Sequence, residues 1–147
     1  MALLLLLAAL ISATGSNNVE NYVIHRKTMT WNQAKEFCER RETFLPVIKS
    51  EKENELIYQM AMKAMPGGGL RRLWIGLRRN GCSWTWINGT QATYTKWAAN
   101  QPDNWRQDGD EDCAHMWFGS GAGSHDRHWN DIVCSRADVY VVCQRYF

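Results

Sequence analysis

The feature that most constrains the fold is a long segment, from about residue 95 to residue 132, with little hydrophobic periodicity. Its densest part is QPDNWRQDGDEDC, Gln101 to Cys113, in which acidic and amide side chains surround a single tryptophan. Proline and glycine oppose regular structure there. A loop of this length inside a compact domain is normally either functional or stabilised by something other than packing. The chain is therefore expected to fold around an irregular but ordered segment.

The size and composition indicate one globular domain. The chain has 147 residues, of which 45% are apolar and 22% are charged, and this is ordinary for a folded domain. The formal net charge of +2 is too small to argue for nucleic acid as a partner. The paired arginines of LRRLWIGLRRN, residues 70–80, allow two interpretations. They are solvated flanks of a strand, or they form a patch for sulfated or other anionic glycans.

The N-terminus, MALLLLLAALISATGS, is typical of a secretory signal peptide. Its apolar run is too short to span a bilayer, and small residues follow it at the expected cleavage positions. We expect residues 1–15 to be removed and residues 16–147 to form the domain. No later stretch is apolar enough to cross a membrane, so the expected product is secreted, extracellular and without membrane insertion.

The pattern of elements predicts the α+β class. Thr30 and Ser50 each begin a capping box followed by apolar residues at helical spacing, which predicts two helices. Short strands follow from Leu73 onward, and Asn80-Gly81 is a strong hairpin turn signal. Helices first and strands later in one small domain favour α+β.

All five cysteines lie after the expected cleavage point, at positions 38, 82, 113, 134 and 143. In an oxidising compartment they predict two disulfides and one remaining thiol. Composition alone leaves fifteen possible pairings open.

Carboxylates and side-chain amides are the oxygen ligands that a hard cation such as calcium prefers. The alternative is a solvated acidic loop. The spacing is not that of an EF-hand, so calcium ligands would come from at least two segments. The QPD segment, 101–103, and the WND segment, 129–131, are the obvious two.

Several short motifs together resemble a C-type lectin domain, over roughly residues 22–147. They are WIGL at 74–77, QPD at 101–103, EDC at 111–113, WND at 129–131, and the cysteines 134 and 143. The resemblance implies a disulfide-linked α+β fold with two helices, antiparallel sheets and a long irregular calcium-binding loop. It also implies the disulfides Cys38–Cys143 and Cys113–Cys134.

The resemblance further implies a set of calcium ligands: Gln101, Asp103, Glu111, Asn130 and Asp131. In sugar-binding members, two adjacent sugar hydroxyls complete the coordination of the ion. Each hydroxyl also donates a hydrogen bond to a carboxylate and accepts one from an amide. The bond preceding the matching proline, Pro102 here, is cis in the family. Binding would be reversible chelation, with no bond made or broken.

Gln-Pro-Asp at this place is similar to members that bind galactose and N-acetylgalactosamine, whereas Glu-Pro-Asn occurs in mannose binders. Trp105 is expected to stack on the apolar face of galactose, so the implied carbohydrate-binding residues are Gln101, Asp103, Trp105, Glu111 and Asn130. Galactose-binding relatives usually follow the tryptophan with a glycine-rich loop, and here the segment 106–110 is charged. Some members hold a second calcium with acidic residues after WIGL. Arg78 and Arg79 stand there, so we expect one calcium.

Two further positions remain as hypotheses. Cys82 has no partner in the family scheme, so it either links two chains into a homodimer or remains a buried free thiol. Asn88 begins an N-glycosylation acceptor, NGT, which is also a simple turn.

The leading functional interpretation is a secreted calcium-dependent lectin that recognises galactose-containing glycans on microbes or cells. The alternative is a calcium-independent interaction module of the same fold, with a protein or other non-sugar ligand. An enzyme is not expected, because the four histidines show no nucleophile partner.

Overall fold

A computed structural model describes residues 21–147, so the expected signal peptide lies outside the described residues. The chain forms a β-rich domain with two α-helices near its start. The elements are β1 (Tyr22–Met29), α1 (Trp31–Glu39), α2 (Glu51–Ala64), β2 (Arg71–Asn80), β3 (Ser83–Trp86), β4 (Cys113–Phe118), a short 3₁₀ segment (Ser120–His125), β5 (Trp129–Ile132) and β6 (Val139–Gln144).

The strands form one six-stranded sheet in the order β1-β6-β2-β4-β5, with β3 paired to β2 outside this path. The pairs are antiparallel except for β2 with β6, where Leu73 lies opposite Tyr140 in a parallel bridge. The α+β class is therefore confirmed, and one parallel contact joins the antiparallel strands. The order brings β4 and β5, which flank the acidic segment in space, to one edge of the sheet.

Both helices begin where the capping signals predict. At Thr30 the box is reciprocal, because its hydroxyl accepts from the Gln33 backbone and the Gln33 side chain accepts from the Thr30 backbone. At Ser50 only half of the box forms. The hydroxyl accepts from the Glu53 backbone at 3.2 Å, but the Glu53 carboxylate accepts from the Lys49 backbone at 2.6 Å instead.

The WIGL segment lies in the interior of β2, and its glycine has a steric role. A Cβ on Gly76 would lie 2.8 Å from the carbonyl oxygen of Pro46, because the chain after α1 passes directly over the strand. The Gly76 N–H donates to that same carbonyl at 2.8 Å. Only glycine allows this close approach.

The hairpin between β2 and β3 turns one residue later than the sequence predicts. Asn80 still pairs with Ser83, so Gly81 and Cys82 form the two-residue loop. Gly81 takes the positive φ of +63° that such a turn needs. The pairing of Asn80 extends the strand and places Cys82 at the tip of the hairpin.

Two disulfides fix the ends of the domain and of the loop. Cys38 in α1 is bonded to Cys143 in β6, and Cys113 at the start of β4 is bonded to Cys134 just after β5. These are the two pairs that the resemblance implies. They close 105 and 21 residues respectively, and the second encloses the WND segment.

Two clusters of buried apolar side chains fill the space between the helices and the sheet. Within the described residues, none of the helices has the length and apolar character needed to traverse a bilayer.

Candidate functional site

The WND segment lies on a strand rather than in a loop, which the sequence analysis did not predict. In β5, Asn130 is opposite His115 of β4 and Asp131 is opposite Ala114. Because side chains alternate along a strand, Trp129 and Asp131 are buried while Asn130 is half-buried. The strand therefore fixes the separation and the directions of the two polar side chains.

Helix α2 holds this strand through a buried polar contact. Asn54 is fully buried, and its side-chain oxygen accepts a 2.8 Å hydrogen bond from the Trp129 indole. Its amide nitrogen donates to the Arg127 carbonyl at 3.0 Å. A buried amide with both ends satisfied is a rigid connection, because losing either bond would leave a polar group unpaired.

The irregular segment before Gln101 is also attached to β5. The Trp129 N–H donates to the Lys96 carbonyl at 2.7 Å, and the Ala98 N–H donates to the Trp129 carbonyl at 2.8 Å. The peptide bond between Gln101 and Pro102 is cis. The QPD segment thus begins from a fixed position beside the WND strand.

Asp131 organises the backbone of the QPD loop. Its two carboxylate oxygens accept from the N–H groups of Asp103, at 3.2 Å, and of Asn104, at 2.7 Å. Asn104 in turn accepts from the Glu111 N–H at 2.8 Å, and Glu111 accepts from the Trp105 N–H at 2.8 Å. These four bonds hold both sides of the loop together without regular structure.

Three carboxylates converge at this point. Asp103, Glu111 and Asp131 each offer an oxygen, and these oxygens lie within 4.8 Å of one another. Asp103 is exposed, Glu111 is 9% exposed and Asp131 is 1% exposed. Such closeness is unfavourable for like charges unless a cation neutralises them.

The pKa values reflect that repulsion and the burial. Burial raises the pKa of Glu111 to about 7, with the charges of Asp131 and Asp103 adding to the effect, although the Trp105 N–H opposes it. Burial also raises the pKa of Asp131, against the N–H groups of Asn104 and Asp103 that lower it. In the absence of a cation, the cluster therefore holds protons more tightly than free carboxylates do.

Two amides add oxygens to this cluster. The Gln101 side-chain oxygen is buried and has no hydrogen-bond partner among the described residues, while its nitrogen donates to Asp103 at 3.3 Å. The Asn130 nitrogen donates to the Asp131 carbonyl at 2.7 Å and lies 3.3 Å from Nε2 of His115. These contacts assign the amide orientation and leave the Asn130 oxygen available.

His115 contacts the expected ligand Asn130, and the sequence analysis did not identify this contact. It is fully buried, and burial lowers its pKa to about 3, with the charge of Arg72 contributing. The imidazole is therefore neutral, and its Nε2 accepts the Asn130 amide. Its ring also packs edge-on against Trp117 at 4.4 Å. No local signal in CAHMWF marks this contact, because the partner lies on the next strand.

Trp105 stands at the rim of the site. Its side chain is 67% exposed, the highest value among the tryptophans, although its backbone N–H is held by Glu111. It lines a cavity of about 280 Å³ together with four of the expected ligands, namely Gln101, Asp103, Glu111 and Asn130. The charged segment after it contains an ion pair between Arg106 and Asp110 at 3.1 Å.

These residues fit a calcium ion. The set supplies three carboxylates and two amides, and hard cations of this kind take six to eight oxygen ligands. The Gln101 side-chain oxygen, which is buried without a hydrogen-bond partner among the described residues, is free to bind a cation. A divalent cation at this position would offset the repulsion among the three carboxylates, which adds to the effect of burial on the pKa values of Glu111 and Asp131.

The two remaining sequence-predicted positions lie away from the cluster. Cys82 is exposed at the hairpin tip, so of the two alternatives the buried free thiol is wrong. The pairing of Asn80 with Ser83 places the two-residue loop in solvent. Asn88 is exposed just after β3. Its side-chain oxygen accepts from the Thr90 backbone at 3.1 Å and from the Thr90 hydroxyl at 2.6 Å.

The site and the fold define a small disulfide-linked domain that carries an oxygen-rich loop beside a rim tryptophan. Residues 27–145 match the family model for the lectin C-type domain. The chain belongs to this family. Its members bind carbohydrate and are not enzymes, and the family generally binds calcium.

Individual relatives agree with this assignment. The chain is 33% identical over 129 residues to asialoglycoprotein receptor 2 of Mus musculus, which covers 84% of this chain and 38% of that protein. It is 39% identical over 114 residues to an alpha-N-acetylgalactosamine-specific lectin of Patiria pectinifera, which covers 75% of this chain and 62% of that protein. The chain thus spans less than two thirds of these relatives.

A solved structure also matches the fold. The carbohydrate-recognition domain of the mouse scavenger receptor C-type lectin superposes with a TM-score of 0.66 at 29% identity. The match covers 86% of this chain and 89% of that one.

Proposed function

We propose that this chain is a secreted lectin that binds galactose and N-acetylgalactosamine through one calcium ion. The observation that carries the proposal is the convergence of Asp103, Glu111 and Asp131 around an unpaired Gln101 oxygen. The names of the relatives support the sugar class, since one is an asialoglycoprotein receptor and another is specific for N-acetylgalactosamine.

The calcium ion, the polar side chains and Trp105 each have a separate role in the proposed binding of the sugar. Calcium, when bound, would coordinate the sugar hydroxyls. The carboxylates and amides of the chain then accept from and donate to those hydroxyls, and His115 keeps the Asn130 amide in a single orientation. The exposed Trp105 indole offers an apolar face to the C–H groups of galactose.

A single ion is proposed because Arg78 and Arg79 follow the WIGL segment. Both carry positive charge near the place where acidic residues would hold a second ion. Equilibrium dialysis against radioactive calcium gives the stoichiometry, and two ions per chain would contradict the proposal.

The first test is retention on immobilised galactose in calcium, followed by elution with EDTA, with immobilised mannose in parallel. Retention on galactose alone, with release by EDTA, is the expected result. Retention on neither sugar would contradict the proposal and favour a calcium-independent interaction module.

A sharper test exchanges the two residues that select the sugar. The double variant Gln101→Glu, Asp103→Asn keeps the net charge and swaps donor and acceptor on the two sides of the ion. We expect retention to move from galactose to mannose while EDTA still elutes the protein. The matched control is Gln91→Glu, Asp110→Asn, an identical pair of changes at exposed positions that do not line the cavity beside Trp105. A mannose preference in the control would contradict the assigned roles.

A homodimer linked through Cys82 forms part of the proposal, because the thiol is exposed at a hairpin tip and lacks an intrachain partner. Glycosylation at the exposed Asn88 also remains a proposal. Glycosidase treatment should increase its electrophoretic mobility, and unchanged mobility would count against it.

A further inference from the structure

A second cleft lies outside the calcium-type site, between the first turns of α1 and the hairpin of β2 and β3. It has a volume of about 540 Å³. Three of its lining side chains are basic, namely Lys35, Arg78 and Arg79, and the described residues that line it include no acid. It shares no lining residue with the cavity beside Trp105. The proposed galactose site therefore does not account for it.

Arg78 is the basic group that remains available. Lys35 is paired with Glu39 at 2.6 Å, and Arg79 with Asp112 at 2.6 Å. Arg78 is exposed, and no acidic group of the described residues lies within 4.0 Å of it. A guanidinium without a carboxylate partner keeps its N–H groups free for an anion, which it can bind in a bidentate manner.

A contact with Trp31 restrains the Arg78 guanidinium before any ligand binds. Its guanidinium carbon lies 5.4 Å from the centre of the Trp31 ring, within the range of a cation–π contact. The Trp31 indole is itself held by a 3.0 Å hydrogen bond to the Ile75 carbonyl. A preorganised cation loses little freedom on binding, which favours recognition over a mobile surface charge.

The size and lining of the cleft indicate a sugar chain rather than a lone ion or a nucleic acid. Its volume lies within the range of roughly 300–1,000 Å³ that is usual for small-molecule sites. Trp31 and Trp86 are only 3% and 4% exposed, so neither offers a face for stacking bases. Thr85, directly opposite Arg78 on β3, adds a hydroxyl suited to sugar hydroxyls.

We propose that this cleft binds a sulfated polysaccharide, independently of calcium, with Arg78 as the principal sulfate contact. Lys35 is the second contact, because its ion pair with Glu39 is exposed to solvent and therefore weak enough to be exchanged for a sulfate. The sulfate esters supply the anions for the basic side chains, and Asn80 and Thr85 of the lining offer polar groups to the sugar hydroxyls. The inference goes beyond the proposed galactose binding and concerns a different face of the domain.

The test measures binding of fluorescent dextran sulfate to the full chain in EDTA, by fluorescence anisotropy. Uncharged dextran and single-stranded DNA serve as comparison ligands. The double variant Lys35→Gln, Arg78→Gln should weaken dextran sulfate binding by about ten-fold or more, since hydrogen bonds to charged groups are lost. The control Arg26→Gln, Arg40→Gln removes the same charge from exposed positions outside the cleft and should change binding by less than about two-fold.

Each result decides the matter. Equal losses in both double variants would overturn the proposal, because net charge alone would explain binding. Absence of dextran sulfate binding in EDTA would overturn it too. So would single-stranded DNA that binds as tightly as dextran sulfate and loses the same affinity in the cleft variant. Calcium-dependent retention on galactose should survive in the cleft variant, which shows that its fold is intact. If galactose retention fails in every protein while sulfate binding persists, only the proposed function fails.

Discussion

The buried Glu111 carboxylate destabilises the domain near neutral pH, and it also supplies an oxygen to the carboxylate cluster. Its pKa in the metal-free fold is about 7, above the ordinary value of 4.5, mainly because it is buried. The raised pKa favours folding below about pH 4.5, and this contribution is lost as the pH rises towards 7. The metal-free domain is therefore expected to lose stability across that interval. A bound cation would oppose the loss by neutralising the cluster.

The first prediction concerns Glu111→Gln. In EDTA at about pH 7.5 the variant should unfold at a temperature a few degrees above the parent protein, because it lacks the unfavourable charge. Added calcium should raise the unfolding temperature of the parent but not of the variant. Differential scanning calorimetry measures both. Glu36→Gln, on the exposed face of α1, is the control and should respond to calcium as the parent does. A variant that is stabilised by calcium to the same extent as the parent would contradict a ligand role.

The second prediction concerns Trp105→Ala. The indole is 67% exposed, so its removal should leave the free energy of unfolding and the calcium affinity unchanged. Affinity for galactose should fall by about ten-fold, because an aromatic contact contributes on the order of 1 kcal/mol beyond its buried area. Isothermal titration with calcium and then with methyl galactoside separates the two effects.

The control for Trp105 is Tyr146→Ala, since Tyr146 is 72% exposed and lies at the C-terminus. It should leave galactose binding unaltered. Equal galactose affinity in parent and Trp105→Ala would show that the indole does not contact the sugar.

The helices were predictable because their signals are local. Thr30 and Ser50 mark the starts of α1 and α2, and the half-formed box at Ser50 shows the limit of such signals. There, a neighbouring N–H at Lys49 competes for the Glu53 carboxylate. The strand β5 was not predicted, since four residues give too short an alternation to distinguish a strand from a loop.

The resemblance to the C-type lectin domain predicted the acidic residues of the site. It did not predict the buried polar residues that hold the site in place. Asn54 lies 75 residues from Trp129 in sequence, and His115 lies 15 residues from Asn130. Contacts between such distant residues depend on the strand pairing and on the helix packing. Sequence periodicity carries no information about which buried polar groups meet.

The third prediction separates the two disulfides. Cys113 and Cys134 close 21 residues around the WND strand, whereas Cys38 and Cys143 close 105 residues across the domain. In the loop-entropy model, losing the first should cost about 3 kcal/mol and losing the second about 4–5 kcal/mol. For calcium affinity we expect the opposite order, with the larger loss when Cys113–Cys134 is removed. The short bridge joins β4 to the segment after β5, so Cys113→Ala, Cys134→Ala should weaken calcium binding more.

Urea unfolding in EDTA gives the stabilities of the two double variants, and calcium titration gives their affinities. Conditions are chosen in which both variants remain folded, as judged by near-ultraviolet circular dichroism. If calcium affinity simply followed stability in the two variants, the specific role of the short bridge in ordering the loop would be disproved.

Considered as a whole molecule, the domain presents its functional features on separate parts. The carboxylate cluster lies by β4 and β5, the basic cleft lies between α1 and the β2–β3 hairpin, and Cys82 projects from the tip of that hairpin. A disulfide at the tip would leave the residues of the carboxylate cluster and the rim tryptophan untouched. Two sites joined in this manner can engage a glycan-covered surface together, because the second binding event becomes intramolecular.

The fourth prediction is a disulfide-linked dimer that depends on Cys82. A non-reducing gel of the purified protein should show a dimer band that is lost on reduction and is absent from Cys82→Ser. Both forms should bind soluble methyl galactoside with equal affinity, because the thiol contacts no expected ligand. On a surface densely coated with galactose, the dimer should dissociate on the order of 100-fold more slowly than the Cys82→Ser monomer, owing to avidity. A parent protein that runs as a monomer without reductant would contradict the proposed disulfide between two Cys82 residues. Equal dissociation rates for dimer and monomer would show instead that the two sites cannot bind one surface at the same time.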